Sequence, residues 1–144
     1  MIEKIIYKKK LLALIVRAKY RNRKGVTFFT PSESTQQFGY MKHKKRHIIK
    51  PHLHKKRVTK ISYTTEVILI FKGKLRVDFY NYYKKYLFSK ILEEKDIIML
   101  VHGGHGFKVL KNIEMLEIKQ GPYSLTKDKI KFEEVNEKKI RIKK

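Results

Sequence analysis

Apolar residues fall in short runs along this chain, and nearly every run is closed by a turn-forming or charged residue. Leu11 to Val16 is a continuous apolar run that ends at Arg17, as expected of a strand covered on both faces. Ile2, Ile5 and Ile6 precede it at a spacing that would equally continue it as a helix. Gln36 to Met41 reads as a short strand, and Ile48 to His54 as extended chain, with Pro51 biasing Lys50 away from helix. Val67 to Phe71 is an apolar strand of the fully buried kind. Lys72-Gly73 is then expected to turn the chain into Leu75-Arg76-Val77-Asp78-Phe79, a period-2 pattern with Leu75, Val77 and Phe79 facing inward. Further strands are predicted over Tyr86 to Leu92, Ile97 to Val101, Phe107 to Leu110 and Met115 to Lys119. Between them stand Asn81 to Lys85, Gly103-Gly104 and a turn at Lys111-Asn112, and Gly121-Pro122-Tyr123 closes the last. Arg21 to Gly25, Pro31 to Ser34, Lys42 to His47 and Lys55 to Lys60 are polar loops. Many short strands with almost no helical signal predict an all-β sandwich or barrel. Residues 1–132 are expected to form one domain, with 133–144 a charged, loose tail.

Composition narrows this picture. No apolar run approaches the roughly 18 residues of a membrane span, and the lysines before Leu11 to Val16 imitate a secretory signal too weakly to be one. The chain has no Cys, which excludes disulfides and thiolate ligands and fits a cytoplasmic protein with no membrane partner. The formal net charge is +23, carried by 29 Lys and 7 Arg. Codon bias toward lysine is the bland explanation, since Ile is also abundant. The charge also predicts salt-sensitive, non-specific attraction to nucleic acid, and a basic nucleic-acid-binding β-barrel is one alternative function. The lysines read as scattered through the chain, and Arg, the better phosphate fork, is scarce.

Candidate chemistry centres on four residues. His52 and His54 stand two apart, which in a strand puts both imidazoles on one face with α-carbons about 6.6 Å apart. Glu66 follows after eleven residues and heads the most apolar strand, and a buried carboxylate there implies a partner. His105 sits among glycines in Gly103-Gly104-His105-Gly106. Three imidazoles and one carboxylate suit an open Fe, Mn, Ni, Co or Zn site rather than Ca²⁺ or Mg²⁺. Tyr40 and Tyr63 are the candidates for orienting a ligand or serving as an acid, Tyr40 beside Gln37 and Met41 on a strand expected to line the barrel. His102 is a candidate second-layer partner, and Arg57 and Lys60 are candidates for an anionic group. Tyr123 reads as strand-end packing, and His43 and His47 as surface histidines.

The pattern resembles the cupin superfamily. Its first motif is matched by His52-Leu53-His54, Glu66 and, after six residues, Gly73, with a longer gap before Glu66 than usual. Its second is matched loosely by Lys95-Asp96, Ile97 to Leu100 and Gly103-Gly104-His105, where Lys95 replaces the customary Gly and the customary Pro is absent. Gln36 to Met41, Tyr63-Thr64, Gly73 to Tyr80, Gly103 to Phe107 and Lys119 to Tyr123 extend the likeness to small single-domain cupins of surface-polysaccharide and sugar-biosynthesis loci. The resemblance implies a double-stranded β-helix (jelly-roll) barrel, metal ligands His52, His54, Glu66 and His105, and a homodimer. It also implies a small polar ligand such as a sugar derivative. Cupins range from isomerases and oxygenases to non-catalytic storage and sensing proteins, so the resemblance does not select a reaction.

Overall fold

A computed structural model describes the chain except for Arg23, Lys24, Tyr123, Leu125, Thr126 and Lys127. The described residues form eight strands: β1 (Ile2–Tyr7), β2 (Lys10–Val16), β3 (Gly25–Phe28), β4 (Gly39–Lys42), β5 (Glu66–Tyr80), β6 (Tyr86–Glu93), β7 (Ile97–Leu100) and β8 (Gly104–Lys119). Among the described residues the only helical turn is a short 3-10 segment, Glu137–Lys139. The protein is therefore all-β, and among the described residues no helix is long and apolar enough to cross a membrane. The chain divides into two compact units, Met1–Tyr20 with Tyr63–Lys144, and Arg21–Ser62.

The larger unit is one curled antiparallel sheet, compatible with a β-barrel. β5 is its spine. One edge of β5 carries β8 along its whole length. The other edge carries β6 and then β7, end to end, and β7 continues to β2 and β1. Ile68, Ile70, Leu75, Val77 and Phe79 face a core shared with Ile5, Leu12, Ala13, Ile15, Leu92, Ile98 and Leu100. The inward positions of Leu75, Val77 and Phe79 are as the period-2 pattern predicts. Val67 to Phe71 is not buried on both faces, because Val67 and Leu69 are half-buried and Phe71 is exposed. The isoleucines ahead of Leu11 form strand β1, paired antiparallel with β2.

Two expected turns are absent. The chain does not reverse at Lys72-Gly73, nor at Lys111-Asn112, so there is no hairpin within β5. Both pairs lie inside continuous strands and face each other as a matched irregularity, where the β5–β8 register shifts three times between Ile70 and Leu75. Gly73 takes φ +96°, and a Cβ there would stand 2.1 Å from the Asn112 carbonyl oxygen. The turn residues thus build a β-bulge, which bends a ribbon and tightens its twist without ending it.

The bend has a measurable consequence. Fifteen extended residues span about 50 Å. Yet Glu66 at one end of β5 is registered against Leu100, and Tyr80 at the other end against Gly104. Only Val101, His102 and Gly103 separate Leu100 from Gly104. The β5–β8 ribbon must therefore curl until its two ends nearly meet.

The C-terminal residues are docked rather than loose. Ser89 N–H donates to the Arg141 carbonyl at 2.8 Å, and Lys143 N–H donates to the Ser89 carbonyl at 2.9 Å. Arg76 forks between buried Asp78 and Glu137 with four contacts of 2.8 to 3.0 Å. Asp78 also accepts from buried Ser89. Glu3 receives Arg17 and Lys90, and Lys90 also donates to the Lys144 carbonyl.

The smaller unit holds the β3–β4 hairpin. Its buried residues, among those described, are Phe29 and Thr30. Phe29 and Phe38 meet edge to face at 5.6 Å. From His43 to Ser62 there is no helix or strand, so His52 and His54 do not lie on the expected extended strand geometry.

Candidate metal centre

Ring closure of the β5–β8 ribbon sets two of the four predicted ligands side by side. Glu66, the first residue of β5, is buried. His105, the second of β8, is half-buried. His105 Nε2 donates to Glu66 Oε2 at 3.1 Å. The partner that burial of Glu66 requires is thus an imidazole from the other end of the same ribbon. Lys129 Nζ stands 3.5 Å from the second oxygen, Oε1. The bond from His105, aided by the charges of Lys129 and Lys119, holds the Glu66 carboxyl at about 2, against the rise that burial alone would cause.

Neighbouring contacts fix this corner. Thr65 N–H donates to Gln120 Oε1 at 2.7 Å, and Gln120 Nε2 donates back to Thr65 Oγ1 at 2.8 Å. The start of β5 is thereby tied to the residue after β8. His105 lies against Phe107, ring centroids 5.2 Å apart. Tyr63 meets His102 edge to face at 5.2 Å. Burial and the nearby Lys10 charge push the His102 ring below its ordinary pKa.

His52 and His54 belong to the Arg21–Ser62 unit. Both are exposed, with ring centroids 5.3 Å apart, and His52 Nδ1 is 2.9 Å from the Lys50 carbonyl. Among the described residues, no three His, Asp or Glu side chains are gathered closely enough to hold a metal. Tyr40 is half-buried on β4, opposite Thr27. Gln37 does not line a barrel. It precedes β4 and staples its own loop, accepting from Thr30 Oγ1 at 2.9 Å and donating to the Pro31, Ser32 and Ser34 carbonyls. Met41 is likewise exposed. Arg57 and Lys60 are exposed, His43 and His47 stack at 4.1 Å, and Tyr123 lies outside the described residues.

The turn at Lys95-Asp96 is tightly tied. Lys95 adopts φ +68°, the left-handed conformation glycine favours, and its N–H donates to the Ile70 carbonyl at 2.7 Å. Asp96 is buried and accepts from Arg17, from Ala18 N–H and from Glu93 N–H. This turn joins β6 to β7 and so keeps both on one edge of β5.

Lys119, Gln120 and Lys129 were not legible as site residues. Lys119 and Gln120 sit at the end of an unremarkable strand, and Lys129 lies in a charged stretch without periodicity.

The Glu66–His105 pair has a spacing and donor types that a metal centre could use. Two donors at right angles, each about 2.1 Å from one ion, stand about 3 Å apart. The observed 3.1 Å is compatible with that separation, and it is equally the length of the hydrogen bond that His105 donates to Glu66. A carboxylate and an imidazole are also the donor types that Fe, Mn, Ni, Co and Zn share. Compared with known proteins, the chain matches no family model, no curated protein and no solved structure.

Proposed function

We propose that this is a cupin-like, metal-binding protein that acts on or binds a small polar molecule, with a jelly-roll barrel as its full architecture. The observation that carries the reading is the buried Glu66 carboxylate, met by His105 at donor spacing through closure of one bent ribbon. Glu66 and His105 would supply one carboxylate and one imidazole. His52 and His54 remain the sequence's candidates for two further donors. A bound divalent ion supplies Lewis-acid activation or an open position for ligand. The protein's own contribution is to exclude water from Glu66, to hold the His105 ring against it, and to offer Lys119 and Lys129 to developing or resident negative charge. The sugar derivative and the homodimer rest on the resemblance alone.

Elemental analysis of protein purified without a nickel column tests the reading. About one transition-metal equivalent per chain is expected. It should fall to background in Glu66→Gln and His105→Ala, and in the His52→Ala/His54→Ala double variant. Near-zero metal in the wild type rejects the proposal. Metal retained in the double variant removes His52 and His54 from the ligand set. Turnover of sugar derivatives by the loaded protein separates an enzyme from a non-catalytic cupin.

A further inference from the structure

The positive charge is not spread evenly. The Arg21–Ser62 unit holds twelve of the 36 Lys and Arg but only one of the 13 Asp and Glu, leaving 24 and 12 for the remaining chain. Between Glu33 and Glu66 there are 32 consecutive residues without an acid. Lysine codon bias adds lysines but does not remove acids. Elsewhere acids recur often enough to pair with Arg17, Lys72, Lys74, Arg76, Lys90, Lys108, Lys119 and Lys129.

Lys42–Lys60 contains nine of these cations: Lys42, Lys44-Lys45-Arg46, Lys50, Lys55-Lys56-Arg57 and Lys60. All nine are exposed. Among the described residues none makes an ion pair within the chain; the salt bridges lie outside Lys42–Lys60. Such a run repels itself, and an external polyanion relieves the repulsion by releasing counterions.

We propose that Lys42–Lys60 is a docking segment for the phosphodiester backbone of double-stranded nucleic acid. No Phe, Tyr or Trp lies between Tyr40 and Tyr63, so the large stacking platforms that grip single strands are missing from the segment. Duplex binding needs phosphate contacts only. Ile48, Ile49, Leu53 and Val58 are exposed, but in chain without helix or strand they present no periodic apolar face for a bilayer. Contacts of this kind recognise phosphate spacing and not base sequence.

The test is a salt titration of the full chain against a labelled DNA duplex of random sequence, followed by anisotropy. The logarithm of affinity falls by about 0.9 per decade of salt for each phosphate neutralised, so nine cations give a slope approaching about −8. A six-site variant (Lys44, Lys45, Arg46, Lys55, Lys56 and Arg57, each to Gln) should flatten that slope by about 5. It should also weaken binding more than tenfold at low salt. A charge-matched control changes Lys8, Lys9, Lys84, Lys85, Lys138 and Lys139 to Gln, and should leave most of the slope in place. An unchanged slope in the six-site variant overturns the proposal, as does equal flattening in the control. Stronger binding to phosphatidylserine vesicles than to duplex overturns it too. His52 and His54 are intact in both variants, so failure here leaves the metal reading standing, and loss of metal leaves this one standing.

Discussion

The two units put the same lysine-rich composition to opposite uses. In the sheet unit, acids interleave with cations, and the pairs sit where they tie distant segments together: Glu3 to Arg17 and Lys90, Asp96 to Arg17, Glu137 to Arg76 and Lys108. In the Arg21–Ser62 unit, acids are almost missing and the nine cations of Lys42–Lys60 are exposed. The difference in core is as large. β5 alone contributes Ile68, Ile70, Leu75, Val77 and Phe79, all nearly inaccessible, whereas Phe29 and Thr30 are the buried residues described in the smaller unit. Charge patterning, not charge itself, therefore separates a cooperative scaffold from an adhesive surface. Burial makes the pairs of the scaffold matter, since exposed pairs contribute little.

The sharpest way to break the comparison is to substitute two glycines of similar positive φ. Gly73 in β5 and Gly25 in β3 have φ of +96° and +85°. A Cβ on Gly73 meets the Asn112 carbonyl at 2.1 Å, while one on Gly25 meets nothing within 4 Å. Gly73→Ala should cost on the order of 4 kcal/mol. It should also open the ribbon, separating Glu66 from His105 and abolishing metal uptake. Gly25→Ala carries the backbone term alone, about 1 kcal/mol, and should leave metal content unchanged. Chemical denaturation and elemental analysis report both. Equal costs would mean that the bulge is not what closes the ribbon.

Next in size is the buried fork. Arg76→Leu strands Asp78, which is buried and keeps only its hydrogen bond from Ser89. Removing one partner of a buried pair costs about 3 kcal/mol or more. For a chain of this length that is a fall of about 10 °C in Tm. Glutamine at Lys55, a cation of the other unit, should shift Tm by less than about 1 °C, because no packed or paired group loses a contact.

How much of this was legible follows from the same contrast. Period-2 spacing identified Leu75, Val77 and Phe79 correctly because an apolar core face leaves a direct imprint on sequence, but it did not reveal that Arg76 and Asp78 on the other face are buried as well. Glu66 announced its need for a partner because a charge heading an apolar strand is costly alone. The failures were turns. Lys72-Gly73 and Lys111-Asn112 carry residues that suit a reversal or a bulge equally well, and only pairing between residues far apart in sequence decides between them. Docking of residues 141–143 on Ser89 was equally hidden, because it uses backbone groups that any residue supplies. In Arg21–Ser62 the spacing of His52 and His54 is visible, but without an apolar face no strand geometry accompanies it.

Acid should loosen the sheet unit selectively. The Arg76 fork and Lys108 hold the Glu137 carboxyl at about 2, and the bonds from Arg17 and Lys90 lower Glu3 despite its burial. A carboxylate depressed in the folded state stabilises above its unfolded value, near 4.5, and that contribution disappears as pH falls toward the folded value. The docked C-terminal residues should therefore begin to release below pH 4.5, seen as shifts of the Ser89 and Lys143 amide resonances. Glu137→Gln should show released resonances already at pH 7 and a much weaker dependence below it. The amides of His43 to Ser62 have no such pairs to lose. A parallel acid transition there would contradict the contrast between the units.

The smallest effect is also the most discriminating about cooperativity. Lys95 and Arg46 are both left-handed, with φ of +68° and +70°. Relief of Cβ crowding in that conformation contributes about 1 kcal/mol, and the freer unfolded glycine takes back roughly half. Lys95 lies in the turn that binds Ile70 and positions Asp96, so its strain belongs to the unfolding unit. Lys95→Gly should raise Tm by about 2 °C. Arg46 stands in exposed chain without strand or helix, where relief of strain changes a local population and not the global transition. Arg46→Gly should therefore leave Tm where it is while shortening the salt slope of duplex binding by about 0.9. Should Arg46→Gly raise Tm as much as Lys95→Gly, the basic segment would be folding with the sheet, and its nine cations would belong to the scaffold rather than to a partner.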